Sequence, residues 1–293
     1  MKEQIVVASE PKNSNLTSTL AHEMRKNRHR LAMFIIAAIS VLAALTSCEK
    51  DKDTYTIKLL ETVTYISETY NSKYLKYKFE YDEQDRITRM SEYSSNGAVY
   101  CTYLHIYAGN DLVQVVKDFH SDYVEYIEYE YTKNGNSITQ KITHHFNNDY
   151  TVRAYTIELD SDELPVKRER EEDDYGNTDI HTYEYQDGNM IKRTEIWTST
   201  EYDYTETLTY PYYYDNEMGA LFHCNTPKWH LIIEFSYFGV KNNITSRRPP
   251  LHVSEEFTNY RYDSAGFPTK RTVSRSGHMT HSEGIEEFTY IKK

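Results

Sequence analysis

Histidine is the residue type in this chain with the clearest metal-binding chemistry, but its spacing does not form a ligand set. His144 and His145 are adjacent, so in a strand they point to opposite faces and cannot share one ion. His278 and His281 are three apart, without the Glu and the further ligand that a zinc motif carries. We therefore predict no metal site and no cofactor.

Carboxylates are abundant and offer two further kinds of chemistry. Asp160-x-Asp162-Glu163 has the first acidic positions of a calcium loop but lacks its Gly and its terminal Glu, so a hairpin turn capped by Asp160 is the better interpretation. A glycosidase needs two suitably spaced carboxyl groups, and so many acidic residues provide such pairs by chance. No nucleophile elbow, phosphate loop or dinucleotide motif follows residue 48.

Aromatic side chains are the remaining candidates for ligand contacts. Their flat apolar faces can stack on sugar rings, while nearby Asp, Asn and Glu accept bonds from sugar hydroxyls. The chain has 29 Tyr, so most of them must pack the scaffold instead. Our tentative ligand contacts are Trp197, Trp229, Tyr212 and Tyr213.

The N-terminal region predicts export and lipidation. Residues 1–23 form a polar extension, and Met24 is an alternative start. Residues 24–47 have a basic segment, an apolar run of 15 residues from Leu31 to Leu45, and the lipobox Leu-Thr-Ser-Cys ending at Cys48. A membrane-spanning helix needs about 20 apolar residues. We therefore expect a lipid on Cys48 and an acidic tether over 48–54, with surface exposure at the outer membrane.

The net charge of the chain limits the classes of partner that it can bind, and its cysteine content limits the disulfides that it can form. From Cys48 onwards the chain holds 27 basic and 42 acidic residues, a net charge near −15, which argues against nucleic acid. Cys101 and Cys224 remain after lipidation. Nothing in the sequence brings these two together, so we expect separate thiols rather than a disulfide, and the pair His223-Cys224 is too small for a metal site.

The residue pattern of 55–293 predicts one all-β domain. Every Tyr lies in this part, and Tyr, Thr, Ile and Val favour strands. Alternating patterns recur, as in Tyr77 to Tyr81 and Trp229 to Tyr237. We predict an antiparallel meander of 14–16 strands that forms a curled sheet or barrel-like structure. Lys, Glu and Thr on the outer face exclude a membrane-spanning barrel, while the many Tyr hydroxyls suggest a partly hydrated interior.

A repeat of about 26 residues organises this domain. Its best copy is Tyr260 to Pro268, in which Asp263 caps a turn and Gly266 supplies a positive φ. Weaker copies are anchored at positions 81, 107, 131, 159, 185, 214 and 237, with spacings of 23 to 29 residues. One period fits a β-hairpin.

Tyr262-Asp263-x-x-Gly266 resembles the core of the YD repeats of RHS-type proteins, and Tyr81-Asp82 keeps the dipeptide. Together with the lipobox, the chain is similar to uncharacterised surface lipoproteins of Bacteroidota built from degenerate repeats of this kind. That resemblance covers roughly residues 55–293. It implies a porin-like or curled antiparallel sheet and brings no catalytic residues.

Two stretches interrupt the repeat. Residues 169–177 are dense in charge and predict an exposed hairpin tip, and Asn242 to Leu251 predicts an irregular loop. Of these, the loop Asn242 to Leu251, together with the insertion 222–229, is where we expect binding, whereas residues 169–177 are expected to be a solvated tip.

Three functions remain open after this reasoning. The first is a non-enzymatic surface lipoprotein that binds a glycan, a polypeptide or a partner complex. The second is a carrier of an apolar molecule within the curl of the sheet, which requires a continuous apolar cavity. The third is a polysaccharide hydrolase, which requires two carboxyl groups about 5–9 Å apart in an aromatic cleft.

Overall fold

The computed structural model describes residues 57–67, 70–120, 126–146, 149–170, 172–173, 175–247, 254–276 and 281–293. The predicted signal peptide, Cys48, the tether and His278 lie outside these residues.

Sixteen strands make up most of the described chain. They are β1 (Lys58–Ser67), β2 (Ser72–Tyr81), β3 (Ile87–Tyr93), β4 (Val99–Ala108), β5 (Asp111–Phe119), β6 (Tyr126–Asn134), β7 (Ser137–Phe146), β8 (Asp149–Leu159), β9 (Pro165–Arg170), β10 (Thr178–Gln186), β11 (Asn189–Ser199), β12 (Tyr204–Met218), β13 (Asn242–Arg247), β14 (Ser254–Tyr262), β15 (Pro268–Ser276) and β16 (His281–Lys292).

These strands form a closed antiparallel barrel. Each strand pairs with its neighbours in sequence, and β1 pairs with β16, so that Val63 lies opposite Phe288. The predicted all-β meander is confirmed, and closure, which the sequence left open, is now established. Closure pairs both edges of the sheet, which would otherwise expose unpaired backbone groups.

The barrel has two chemically different ends. We call the end with the turns at 82–86, 160–164 and 263–267 the turn end, and the chain enters the barrel there at Ile57. We call the opposite end, with the turns at 94–98 and 173–177, the loop end. The alternation of antiparallel strands fixes this assignment.

Four turns share one backbone geometry built on Asp. In each turn one carboxylate oxygen accepts the backbone N–H groups two and four residues later, and the third residue after the Asp has a positive φ. The four residues are Asp82, Asp160, Asp173 and Asp263. The predicted roles of Asp263 and Gly266 are confirmed, as is a hairpin turn at Asp160.

Tyrosine hydroxyls connect successive hairpins through a repeated hydrogen bond. Six of them donate to a backbone carbonyl 16 to 24 residues earlier, over 2.7–2.9 Å: Tyr81 to Leu60, Tyr107 to Ile87, Tyr185 to Pro165, Tyr214 to Met190, Tyr260 to Ile244, and Tyr290 to Pro268. Every accepting residue lies at a shift of the strand register. Such bulges disturb the ladder of backbone bonds, and the hydroxyl gives their carbonyl a partner.

A segment between β12 and β13 folds into the barrel at the turn end. We call residues 219–241 the plug; it contains the helix α1 (Lys228–Phe235) and a 3-10 turn (Ser236–Phe238). Leu231, Phe235 and Phe238 pack on Phe79 of the barrel wall and its neighbours. Each fully buried apolar side chain of this size contributes about 1.5–3 kcal/mol to stability. No helix in the described residues is long and apolar enough to cross a membrane.

The prediction of a strand from Trp229 to Tyr237 is wrong. Its alternation placed Ile232 on an outer face, whereas Ile232 packs on barrel residues on another side of α1. The barrel wall buries side chains on more than one side of this helix, namely Trp229, His230, Leu231, Ile232 and Phe235, so no single apolar stripe of period 3.6 stands out in its sequence. The weak repeat copy at Tyr237 likewise falls in the 3-10 turn.

The predicted irregular loop from Asn242 to Leu251 is also wrong in its first part. Asn242–Arg247 is β13, which pairs with β12 and β14. Its neighbours in sequence, Arg248 and the two prolines, lie outside the described residues. Two other predictions hold, because Asp173 forms a hairpin turn within 169–177 and residues 222–229 belong to the plug.

The outer wall of the barrel carries paired charges in mid-strand. Ion pairs join Lys73 of β2 to Glu287 of β16 across the intervening strand β1, and join Lys141 to Glu130 and Lys192 to Glu184 across neighbouring strands, over 2.7–2.8 Å. In lipid, a Lys at the bilayer midplane costs about 2–4 kcal/mol. The wall that these pairs occupy is therefore suited to water.

The tyrosine bonds give a direct test of the repeat. Tyr81→Phe leaves the Leu60 carbonyl without its donor, and we expect the free energy of unfolding in urea to fall by about 1 kcal/mol. The control is Tyr202→Phe, whose side chain is 74% exposed. Equal stabilities of the two variants would contradict a structural role for the Tyr81 hydroxyl.

Candidate functional site

The inner wall towards the loop end is lined by charged side chains. Arg168 stacks on Tyr155 with its guanidinium carbon 3.8 Å from the ring centre, and Arg193 stacks on Tyr210 at 4.4 Å. Arg is suited to such positions because its planar group stacks on rings and pairs with carboxylates at once. The lumen is therefore polar in the half that the plug leaves free.

His181 lies between two carboxylates on this wall. Its Nε2 is 2.8 Å from Asp179 Oδ1, and its Nδ1 is 3.4 Å from Glu195 Oε1. Arg193 and the Tyr210 hydroxyl each lie 2.9 Å from Glu195. Burial raises the pKa of Asp179, but the hydrogen bond and the charge of His181 outweigh it and hold that pKa below its usual value. The cluster thus gathers two carboxylates, an arginine and a histidine within contact distance of one another.

A second network connects the plug to the wall. Arg271 is 1% exposed; it lies 2.6 Å from Glu286 and donates to the Tyr237 carbonyl of the plug over 3.1 Å. Lys76 lies 2.8 Å from the same Glu286. Burial raises the pKa of Glu286, but the charges of Arg271 and Lys76 outweigh burial and lower this pKa to about 2. Removing one partner of such a buried pair costs about 3–5 kcal/mol.

Glu255 is held in the same way nearer the loop end. It pairs with Arg247 and lies 2.7 Å from Arg275. Burial raises the pKa of Glu255, but the charges of Arg247 and, to a smaller extent, Arg275 outweigh burial and hold this pKa below its usual value. These inner carboxylates therefore stay ionised and serve as partners for arginine.

Two buried histidines meet where the plug contacts β4. His105 Nε2 and His230 Nε2 are 3.1 Å apart, with the rings at 81° to each other. Both side chains are buried, and Phe235 packs beside both rings. Burial lowers the pKa of His105 to about 3 and that of His230 well below its usual value. Both are therefore neutral, with one ring donating to the other.

Exposed aromatic side chains collect at the loop end. Nine of the thirteen exposed large apolar side chains in the described residues lie there, which is a strong asymmetry. Six aromatic members of this group lie on three successive hairpins, β7–β8, β9–β10 and β11–β12, and we call this set the aromatic rim: Phe146, Tyr150, Tyr175, Trp197, Tyr202 and Tyr204. Exposed aromatic area of this kind marks interaction surfaces.

Backbone pairing positions the rim beside the inner charges. Trp197 lies opposite Asp179 on β10 and opposite Glu206 on β12. The Thr200 hydroxyl donates to the Gly176 carbonyl and so connects the tips of two rim hairpins. Trp197 is 49% exposed although it shares the inward-facing row with Asp179. The rim is thus continuous with the charged lumen.

A cavity of about 370 Å³ lies at the turn end, between the plug, strands β5 to β7 and the turn at 160–164. Leu112, Tyr131, Ile138 and Trp229 line its apolar side, and each of them is less than 7% exposed. Aromatic stacking on a ligand needs an accessible ring face. This cavity is therefore a weaker candidate site than the rim.

The four tentative ligand contacts occupy different environments. Trp197 belongs to the aromatic rim, and Tyr213 is half exposed on the outer wall. Tyr212 and Trp229 are 3% exposed and pack in the core, where the Trp229 ring lies 5.0 Å from that of Tyr131. The structure therefore brings only Trp197 into the face where exposed aromatics gather.

The other chemistry-bearing residues are dispersed. Cys101 is buried and Cys224 half-buried, and both are free thiols. His144 and His145 lie on opposite faces of β7, and His145 stacks on Tyr126 of the neighbouring strand at 4.0 Å between ring centres. No group of three or more potential metal ligands occurs among the described residues.

Sequence reasoning did not identify most of the rim. Tyr175, Tyr202 and Tyr204 look like scaffold tyrosines, because the repeat uses the same residue type inside the barrel. One signal was available: Tyr175 lies in the charged hairpin tip at 169–177, where a packing tyrosine has nothing to pack on.

No family model matches this chain, and no curated protein matches it. Two solved structures that it resembles are porin-like proteins of Bacteroides. The one from Bacteroides uniformis ATCC 8492 has 11% identity and a TM-score of 0.48 over 81% of this chain and 98% of that chain. The one from Bacteroides vulgatus ATCC 8482 has 13% identity and a TM-score of 0.37 over 80% and 99%. Neither likeness identifies a function for this chain.

The buried histidine pair predicts loss of stability in mild acid. The pKa of an unfolded histidine is about 6.5, and both folded values are lower, so below pH 6.5 the unfolded chain binds protons that the folded chain does not. We expect the free energy of unfolding to fall by up to about 1.4 kcal/mol per pH unit for each ring.

The check is urea unfolding between pH 7 and pH 5. The double variant His105→Phe, His230→Phe should flatten this pH dependence, whatever its stability at pH 7. Phe79→Leu, a core change that keeps both imidazoles, serves as the control. An unchanged slope in the double variant would show that other groups cause the acid sensitivity.

Proposed function

We propose that this protein is a non-enzymatic binding module, anchored to the outer membrane through a lipid on Cys48, which takes up its ligand at the loop end. The single observation that carries the proposal is the gathering of exposed aromatic side chains at that end. A solvated scaffold gains nothing from exposed Trp and Tyr rings, whereas binding surfaces are enriched in them.

The point where the chain enters the barrel supports this orientation. Ile57 lies at the turn end, beside Lys293. Eight residues lie between Cys48 and Ile57, and the nine steps from one to the other reach at most about 32 Å when fully extended. A lipid on Cys48 would therefore keep the turn end near the membrane and direct the rim away from it.

The electrostatics of the interior favour binding over hydrolysis. A general acid needs a raised pKa, whereas Asp179, Glu255 and Glu286 have lowered values. Burial raises the pKa of Glu234 on the plug, but the charges that act on it come from Arg168, Lys117 and Arg193 rather than from a second carboxylate.

A carrier of apolar molecules fits this interior less well. Such a carrier needs a continuous apolar cavity, and here the plug packs against the wall with buried side chains such as Leu231 and Phe238. Towards the loop end the described inner wall carries arginines and carboxylates instead. Burying an apolar ligand there would separate charges from water without replacing their partners.

A panel of glycans and peptides, applied to the full protein in a non-ionic detergent, tests the binding function. We expect a ligand whose affinity Trp197→Ala lowers about tenfold, since aromatic anchors dominate binding energy. Tyr213→Ala, on the outer wall, should leave the affinity unchanged. Ligands that respond only to Tyr213→Ala would contradict a binding face at the loop end.

Labelling of intact cells tests the anchor and the orientation. Tyr202→Cys places a thiol on the rim and Gln84→Cys places one at the turn end. We expect a membrane-impermeant maleimide to label the first faster, because the turn end would lie close to the membrane. Cys48→Ala should release the protein from the membrane fraction. Labelling of neither thiol before cell lysis would contradict surface display.

A further inference from the structure

The aromatic rim has a second property, a high density of negative charge. The described residues within 144–153, 170–179 and 197–206 hold seven acidic and two basic side chains, a net charge of −5 in 26 residues, against −12 for all 293 residues of the chain. The field at this face therefore attracts cations and repels anions.

The carboxylates at the rim are largely without counter-ions. Among the described residues, Asp149, Glu201, Asp203 and Glu206 have no cation within ion-pair distance. This differs from the lumen below, where Glu255 and Glu286 are both paired with arginine. Unpaired carboxylates on an exposed face can take a basic ligand without breaking an existing pair.

Rings and carboxylates alternate within the rim. Along the β11–β12 hairpin the order is Glu201, Tyr202, Asp203, Tyr204, and Trp197 lies opposite Glu206. A cation beside such a row meets a ring face and a carboxylate together, which combines cation–π attraction with ion pairing. A neutral glycan would use the rings but gain little from the charge.

From this combination we propose that the ligand at the loop end is a basic polypeptide segment, rich in lysine or arginine and bound in extended form across the three rim hairpins. The inference rests on the proposed binding function and names the chemistry of its ligand. The exposed aromatic faces supply contact area, and the negative charge of the rim favours a positively charged partner.

Fluorescence anisotropy with labelled oligolysine tests this inference on the full protein in a non-ionic detergent. Oligoglutamate and a neutral maltooligosaccharide are the comparison probes. We expect that only oligolysine binds. Its affinity should fall steeply as the salt concentration rises from about 50 to 500 mM, because salt screens the charges of the rim.

Variants separate the rim from the general acidity of the chain. The triple variant Glu201→Gln, Asp203→Asn, Glu206→Gln should lower the affinity for oligolysine about tenfold. The matched control Glu83→Gln, Asp111→Asn, Glu158→Gln removes the same charge from exposed positions near the turn end and should change it less than twofold. Trp197→Ala should also weaken binding about fivefold, and Trp197→Phe less, because a ring remains.

Two results would overturn the inference. Equal losses in the two triple variants would mean that oligolysine follows net charge and not the rim. A neutral oligosaccharide that binds, is weakened by Trp197→Ala and is indifferent to salt would replace the basic segment with a glycan while leaving the binding function intact. Binding of any probe that no rim variant affects would instead contradict the proposed binding face itself.

Discussion

The hydrogen bond from a tyrosine hydroxyl to a bulge carbonyl is the interaction on which this barrel depends. A bulge lets each hairpin twist enough for the sheet to curve, but it leaves a carbonyl without its ladder partner. Tyr81, Tyr107 and their equivalents reach back one hairpin and supply the donor. Phenylalanine would fill the same space without satisfying the carbonyl, which explains why the repeat uses Tyr.

Closure of sixteen strands creates a second constraint, because a barrel of this size has an interior too wide for wall side chains to fill alone. The chain meets it in two ways. At the turn end the plug brings its own apolar residues, such as Leu231 and Phe238, into the interior. Towards the loop end, inward arginines and carboxylates pair with one another, and Arg271 joins both regions by bonding Glu286 and the plug carbonyl of Tyr237.

Much of the wall could be predicted from the sequence, because its signals are local. Tyr260 to Pro268 encodes strand, turn and strand within nine residues, and the Asp263 turn has the predicted form. Closure was not readable, since the pairing of β1 with β16 joins residues more than 200 positions apart. The helix α1 was missed because its buried residues lie on more than one side, which hides the period of 3.6, and its residues Trp229 to Phe235 mimic a strand pattern by chance.

The candidate site shows why residue type alone could not locate it. Sequence reasoning supported Trp229 and Trp197 equally as ligand contacts. In the structure Trp229 packs in the core as part of the plug, whereas Trp197 is half exposed beside unpaired carboxylates. Tyrosine serves the bulges, the core and the rim in the same chain, so its abundance carries little information about binding. What separates these roles is the balance of burial and partners: a ring with a packed face and a bonded hydroxyl already has its function within the fold. The rings of the rim lack that burial, and their position opposite the point where the chain enters is what makes a ligand the better explanation for them.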